Sequence, residues 1–363
     1  MQDIRVLLPG GRDRSYSITF ERGIVRTLPA RLAQAFPGVR KFVITDAHVR
    51  RLYGKSLLSS FEEAGEDVTV LEVPAGEGSK NADLVYHLQS ELLGRGVHRD
   101  SLIVAFGGGV VGDLAGFVAA TVLRGIRFVQ VPTTLLAQVD SSVGGKVGID
   151  HPVGKNLIGA FHQPQAVFID VSLLRTLPER EFRSGLAEAF KIAAALDKTS
   201  FAFLAGKASI IRRGNVRVLE EIVSRSVGLK AAVVMKDEFE SGVRKALNLG
   251  HTIGHALEAA SGFRVLHGEA VGMGIVLESE IAVRLGLLRR REQETLIRVM
   301  KALRLQTRPP SIRNRRQFFA SLHADKKAVQ GTVQFVLPSS IGSCAIGVEV
   351  PDELVDRVIA GRA

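Results

Sequence analysis

The chain holds one cysteine, Cys344, among 363 residues. A single thiol cannot close an internal disulfide, so a disulfide-stapled fold is excluded. Cys344 is expected as a small buried apolar side chain. The opening Met1-Gln2-Asp3-Ile4-Arg5 lacks the apolar core of a signal peptide, which predicts a cytoplasmic protein. Long apolar runs are scarce too. The longest, residues 102–123, is broken by five glycines and Asp113, a pattern that a membrane span does not tolerate. The basic clusters Arg289-Arg290-Arg291 and Arg313-Asn314-Arg315-Arg316 lack interleaved aromatic residues and follow no nucleic-acid motif. No nucleic-acid partner is therefore expected. The net charge of +11 reads as a basic surface able to steer an anionic substrate. No internal repeat, low-complexity segment or flexible linker is evident.

What is present is a globular composition, 46% hydrophobic, at a length that suits two domains. Strand-like runs at 41–45, 68–73, 102–106, 127–131 and 166–170 alternate with amphipathic stretches such as 84–93. That alternation predicts a Rossmann-like α/β domain, a parallel sheet with helices on both faces, over residues 1–177. Beyond Leu177-Pro178 the spacing turns helical at 179–195, 216–235, 245–260, 269–285 and 292–303. Only 332–337 and 345–348 read as a hairpin. The expectation for 178–363 is a mostly α-helical domain.

Four glycine- or hydroxyl-rich turns crowd one stretch: Gly107-Gly108-Gly109, Pro132-Thr133-Thr134, Val143-Gly144-Gly145-Lys146 and Gly154-Lys155-Asn156. Each is expected where an apolar run gives way to a helix. Helix N-termini offer unpaired N–H groups and a positive dipole end, which suit phosphate. On a parallel sheet such turns lie at the carboxyl ends of strands, where ligands bind. The segment reads as a site for phosphorylated ligands, a dinucleotide and a second phosphate.

His251 and His255 stand four residues apart, on one face of a helix, and His267 follows in Leu266-His267-Gly268-Glu269. Glu188 is a charge inside the apolar run Gly185-Leu186-Ala187-Glu188-Ala189-Phe190-Lys191. Two histidines and a glutamate with an open position suit catalytic zinc, and also cobalt or manganese. Spacing alone favours ordinary helix histidines, and the metalloprotease pattern is absent because no glutamate follows the first histidine. Lys191 shares a helix face with Glu188, and a buried cation needs a phosphate or carboxylate partner.

Together these motifs resemble the 3-dehydroquinate synthase family of sugar phosphate cyclases. The likeness runs from about Asp46 to Ile341 through GGGVVGDLAGFVAAT, RGIRFVQVPTTLLAQVDSSVGGK, HPVGKNLIGAFHQPQAVFID, GLAEAFK, LNLGHTIGHALE, LHGEAVG and Asp325-Lys326-Lys327. The resemblance implies that Asp46, Glu77, Lys80, Gly108, Gly109, Asp113, Thr133 and Thr134 hold NAD, with Lys146 and Lys155 nearby. It implies that Glu188, His251 and His267 ligate Zn2+ or Co2+. It implies that Asp140, Lys146, Asn156, Lys191, Lys230, Arg244, Asn248, His255 and Lys327 surround the substrate, with Arg124 and Lys155 near its phosphate. In the family Arg124 reaches the neighbouring subunit's site, which implies a homodimer. The implied reaction converts 3-deoxy-D-arabino-heptulosonate 7-phosphate to 3-dehydroquinate and phosphate, in the shikimate pathway of aromatic amino acid biosynthesis. It runs through oxidation by NAD, phosphate elimination, reduction, ring opening and an intramolecular aldol closure, so NAD is regenerated in each turnover.

Two stretches depart from the family pattern. Val147-Gly148-Ile149-Asp150 and Ile192-Ala193 resemble the cyclases that act on sedoheptulose 7-phosphate, whereas Asn248, the 151–156 motif and Asp325-Lys326-Lys327 are of the dehydroquinate type. A metal-dependent alcohol or glycerol dehydrogenase shares the two-domain plan but would release NADH, and a small alcohol needs no lysine-rich phosphate turns. A catalytically dead NAD-binding scaffold is disfavoured by the competent residues at every metal and substrate position.

Overall fold

The computed structural model describes residues 3–8, 14–152, 154–262, 264–309, 312, 315–324, 328–329 and 332–361. The chain divides into two compact units, Met1–Thr176 and Leu177–Ala363.

Unit 1 contains strands β1 (Ile4–Val6), β2 (Tyr16–Phe20), β3 (Lys41–Asp46), β4 (Val68–Val73), β5 (Leu102–Gly107), β6 (Arg127–Pro132), β7 (Lys146–His151), β8 (Gly154–Phe161) and β9 (Ala166–Ile169). Its helices are α1 (Ile24–Ala35), α2 (Ala47–Glu63), α3 (Ala82–Gly94) and α4 (Gly109–Thr121). Seven strands form one sheet in the order β1-β2-β9-β6-β5-β3-β4, parallel except at the β1–β2 edge. The inner strands read as unbroken apolar runs because both faces are covered. Phe42, Ile44, Ile103 and Ala105 join α3 and α4 in one core, while Val43, Leu102, Val104 and Val129 join α1 and α2 in the other. The chain leaves β3 outward to β4 and returns to β5 on β3's other side. That reversal places the carboxyl ends of β3 and β5 at a topological switch point, where nucleotides bind on such sheets.

The expectation that all four turns open helices is corrected. Gly108 caps α4, and Thr134 precedes a helical turn that includes Ala137–Ser141. Gly144-Gly145 instead leads into β7, and Gly154-Lys155-Asn156 lies within β8, its antiparallel partner. The β7–β8 hairpin is a separate two-stranded sheet, held close by Gly148 and Gly159. An added Cβ on Gly148 would sit 2.6 Å from the Ile158 carbonyl oxygen, and one on Gly159 2.5 Å from that of Val147.

Unit 2 is built on α5 (Glu179–Leu196), α6 (Lys198–Arg212), α7 (Val216–Lys236), α8 (His251–Ala260), α9 (His267–Arg284), α10 (Arg290–Ala302), α11 (Arg315–Ala324) and α12 (Asp352–Ala360). A small sheet of β10 (Ala328–Val329), β11 (Thr332–Ser340) and β12 (Ser343–Glu349) contains the expected hairpin. The single helix expected over 245–260 is two pieces. A 3-10 turn, Val243–Asn248, ends at Leu249, Gly250 adopts φ +81°, and α8 starts afresh at His251. Only glycine takes that left-handed backbone without strain. Cys344 is partly buried rather than fully so, and burial followed by nearby Glu278 pushes its thiol up to about 12. Among the described residues no helix is long and apolar enough to cross a membrane.

Candidate active site

In unit 1 the glycine turn after β5 brings the start of α4 against the turn after β6. Thr133 N–H donates to the Gly107 carbonyl at 2.9 Å, and a Cβ on Gly108 would lie 2.9 Å from Thr134 Cγ2. Among the described residues no side chain caps α4, so its first amides remain available to a phosphate. Thr133 is buried, and its hydroxyl has no hydrogen-bond partner among the described residues. Such a hydroxyl is costly unless a ligand meets it. Thr134 Oγ1 accepts from Ala137 N–H at 3.2 Å and caps the following helical turn, which bears Asp140. Asp46, at the end of β3, accepts from His48 and Val49 N–H at 2.9 Å each and thereby caps α2. These residues fit a dinucleotide: a free helix N-terminus, a buried unpaired hydroxyl and a carboxylate at the switch point.

A second group in unit 1 is charged. Lys80 is buried, and its ammonium donates to Asp113 at 2.8 Å and to the Asn156 side-chain oxygen. Glu77 Oε1 lies 3.8 Å from Lys80 Nζ and 3.7 Å from Lys155 Nζ. Burial alone would depress Lys80, but Asp113, Glu77 and Asp150 outweigh it and hold its pKa above the usual lysine value. Asp150 ties the group together: its N–H donates to the Lys80 carbonyl at 2.8 Å, and its carboxylate accepts from Asn156 N–H at 2.8 Å. Asn156 sits at φ +55°, a conformation that asparagine tolerates better than most residues. Burial raises the Asp150 pKa. Lys146 is exposed at the start of β7. Arg124 is exposed on a turn in which it and Leu123 both take left-handed backbone, at φ +67° and +50°.

Unit 2 gathers Glu188, His251 and His267. Each offers a ligand atom within 4.8 Å of the others. Close backbone packing makes this possible. A Cβ on Gly268 would lie 2.0 Å from the Ser184 carbonyl oxygen, which sets α9 against α5, the helix of Glu188. A Cβ on Gly274 would lie 2.0 Å from the Gly250 carbonyl oxygen, which sets α9 against the start of α8. Fully buried Glu278 of α9 accepts from Gly250 N–H at 2.5 Å and Ile253 N–H at 3.1 Å, capping α8 where His251 stands.

Ring orientation follows. His251 Nδ1 lies 3.3 Å from the Leu249 carbonyl, leaving Nε2 3.9 Å from Glu188 Oε1. His267 Nδ1 lies 3.2 Å from Glu258 Oε2, and its Nε2 lies 3.3 Å from Glu188 Oε1. Glu188 is fully buried, and among the described residues neither carboxylate oxygen receives a well-directed hydrogen bond. Its charge is met at closest range by Lys191 Nζ, 2.6 Å from Oε2. Burial alone would lower the His267 pKa, but Glu258 and Glu188 lift it to about 10. Two carboxylates around one imidazole thus demand positive charge, which a proton or a divalent cation can supply. The donor set and the converging nitrogens fit zinc or cobalt.

Unit 2 also carries further expected residues. The ring centroids of His255 and His251 are 5.2 Å apart. Lys230 is buried on α7. Asp237 organises the following loop, accepting from Ser241, Gly242 and Arg244 N–H at 2.8–2.9 Å. Arg244 is buried and donates to the Glu238 carbonyl. Asn248 donates to Glu240 at 2.5 Å, and Glu240 sits at φ +60°. Lys327 lies outside the described residues. Sequence reasoning missed Asp237, Glu258 and Glu278, and met Asp150 only as the end of a stretch that departs from the family pattern. A charge inside an apolar helix, the signal that singled out Glu188, would have found Glu278 in Leu277-Glu278-Ser279-Glu280.

The models of the 3-dehydroquinate synthase N-terminal and C-terminal regions match residues 70–184 and 185–328. The 3-dehydroquinate synthase of Desulforamulus reducens is 43% identical over 349 residues, covering 96% of this chain and 97% of that protein. The one of Pelobacter propionicus is 45% identical, covering 92% and 93%. Among solved structures, 2-epi-5-epi-valiolone synthase from Streptomyces hygroscopicus, with NAD+ and Zn2+ bound, matches with a TM-score of 0.89 at 28% identity, covering 98% of this chain and 99% of that one. A 2-deoxy-scyllo-inosose synthase complexed with carbaglucose-6-phosphate, NAD+ and Co2+ matches with a TM-score of 0.87 at 25% identity, covering all of both chains. An iron-containing alcohol dehydrogenase at 16% identity and a TM-score of 0.68 shares the fold alone. By sequence over nearly its full length and by its domain models, this chain belongs to the 3-dehydroquinate synthase family.

Proposed function

We propose that this chain converts 3-deoxy-D-arabino-heptulosonate 7-phosphate to 3-dehydroquinate and phosphate, an NAD- and metal-dependent cyclisation in aromatic amino acid biosynthesis. The observation that carries the reading is the convergence of Glu188, His251 and His267, with the second nitrogen of each imidazole occupied by an acceptor. Residues 1–177 form the NAD-binding domain and residues 178–363 the metal- and substrate-binding domain. Bound at Glu188, His251 and His267, a divalent cation supplies Lewis-acid polarisation of a sugar hydroxyl and its ketone, and NAD supplies a reversible hydride acceptor.

The chain's own residues bind and orient. Gly108, Gly109, Thr133 and Thr134 present amides and hydroxyls to the dinucleotide, with Asp46 at the switch point. Glu77, Lys80, Asp113, Lys155 and Asn156 form the adjoining charged group. Lys191, Lys230 and Arg244 are buried cations, which suits an anionic substrate and has no use for a small neutral alcohol. Asn248 and His255 complete the substrate contacts of unit 2, with Lys327, and Asp140 and Lys146 those of unit 1. The enzyme acts in the cytoplasm as a homodimer, in which Arg124, exposed on its strained turn, reaches the neighbouring copy's substrate.

A carboxylate-bearing substrate is favoured over sedoheptulose 7-phosphate. Charge-assisted bonds are the strong ones, and Arg244 and Asn248 can make them to a carboxylate. The neutral sugar forfeits that charge-assisted bond, about 1.5–3 kcal/mol, or at least about tenfold in kcat/KM. Phosphate release from the two sugars tests this. Equal or better turnover of sedoheptulose 7-phosphate would transfer the specificity to Val147–Asp150 and Ile192-Ala193.

A further inference from the structure

Glu258 stands outside the ligand set but directly behind it. It is 1% exposed, on α8, and its Oε2 lies 3.2 Å from Nδ1 of His267. The opposite nitrogen of that ring lies 3.3 Å from Glu188 Oε1. A neutral imidazole can give a metal the lone pair of one nitrogen only if the other nitrogen carries the proton, and that proton needs an acceptor. His251 has a backbone carbonyl for the purpose, and His267 has a whole carboxylate. We propose that Glu258 is a positioning residue for the metal: it accepts the Nδ1–H of His267, fixes the tautomer that exposes Nε2, and strengthens that nitrogen as a donor.

Glu258 could instead be a ligand itself, since His255, Glu258 and His267 also bring donor atoms within 4.8 Å of one another. That set would take His267 through Nδ1. Its Nε2 would then still face Glu188, whose buried oxygens lack well-directed donors and would gain nothing from the cation. A cation among Glu188, His251 and His267 serves the buried carboxylate and keeps the Glu258 bond intact. The geometry therefore assigns Glu258 to the shell behind the ligands.

The inference rests on the metal reading of Glu188, His251 and His267, and its test separates the two. The chain, stripped of metal, is titrated with Zn2+ against a chromogenic chelator and with Co2+ by its visible absorption. His251→Ala, Glu258→Gln and Glu258→Asp are compared with the parent, with metal-free melting measured for each. Glu258→Gln keeps the shape but loses the charge, and should weaken Zn2+ binding about 10- to 100-fold and alter the Co2+ spectrum. Glu258→Asp, still a carboxylate, should recover part of the loss, and metal-free melting should match the parent's. Zn2+ binding by Glu258→Gln within about twofold of the parent, while His251→Ala loses it, would overturn the inference and leave the metal site standing. A metal-free melting temperature that drops in step with Zn2+ affinity would make Glu258 structural and also overturn it. Undiminished binding by His251→Ala would remove the metal site and the inference together.

Discussion

Gly268→Ala puts one methyl group where two ligand-bearing helices touch. Its Cβ would lie 2.0 Å from the Ser184 carbonyl oxygen and 2.6 Å from Ser184 Cα and carbonyl carbon. Real Cβ atoms essentially never come within 3.0 Å of another heavy atom, so α9 and α5 must part by about 1 Å. No flexible side chain can absorb this, because the three nearest atoms are all backbone. Overpacking of this kind costs about 1–3 kcal/mol. The bond from Gly268 N–H to Ser184 Oγ, 3.0 Å long, is stretched as well, at about 1 kcal/mol. At about 2–4 °C per kcal/mol for a unit of this size, melting should fall by roughly 4–16 °C. The same 1 Å separates His267, the preceding residue, from Glu188, one turn beyond Ser184. Metal–ligand distances tolerate only about 0.2 Å, so Zn2+ affinity should fall more than about tenfold. Thermal melting and chelator competition read the two effects. Gly206→Ala in α6 is the control: nothing lies within 4 Å of its added Cβ, and it should be neutral or stabilise by up to about 1 kcal/mol. A Gly268→Ala protein that melts and binds Zn2+ like the Gly206→Ala protein would refute the close-packing argument.

Other consequences are as direct. His251→Ala should abolish both metal content and activity while far-ultraviolet dichroism stays that of the parent; full activity in a metal-free sample would contradict the ligand assignment. Glu280→Gln should destabilise the protein at neutral pH. Burial alone would raise the Glu280 pKa, but hydrogen bonds from Arg290, Gln293 and Arg284 hold it at about 2, below its ordinary 4.5. The stabilisation is therefore fully present above pH 4.5 and lost as pH falls through about 2, so the two proteins' stabilities should converge on acidification, as denaturant melts across that range will record. Asp237→Ala should raise KM for the sugar phosphate through loss of the bonds that order the Arg244 loop, with Zn2+ affinity unchanged; equal losses in both would mean a general structural role.

Much of this fold was legible in the sequence because its physics is local. The inner strands β3, β5 and β6 are buried on both faces and so appear as continuous apolar runs. Glu188 and the two histidines of α8 stood out as polar groups at helical spacing in apolar surroundings. The rest depends on contacts far apart in sequence. β7 and β8 carry lysine, glycine and asparagine, and among the described residues pair only with each other, so their pattern resembles a loop. The break at Gly250 is a backbone dihedral inside an otherwise helical pattern, invisible to periodicity. Glu258 looks like any helix-surface glutamate until α9 delivers His267 to it.

The central claim, a cyclase that oxidises and reduces within one turnover, is tested most directly by a time course with NAD at a small fraction of the heptulosonate phosphate concentration. Phosphate release and NADH absorbance are followed together in the Zn2+-loaded protein. Phosphate should be released far in excess of total NAD, with no lasting NADH. Accumulation of NADH up to the NAD supplied, with turnover stopping there, would make the protein a dehydrogenase and contradict the account.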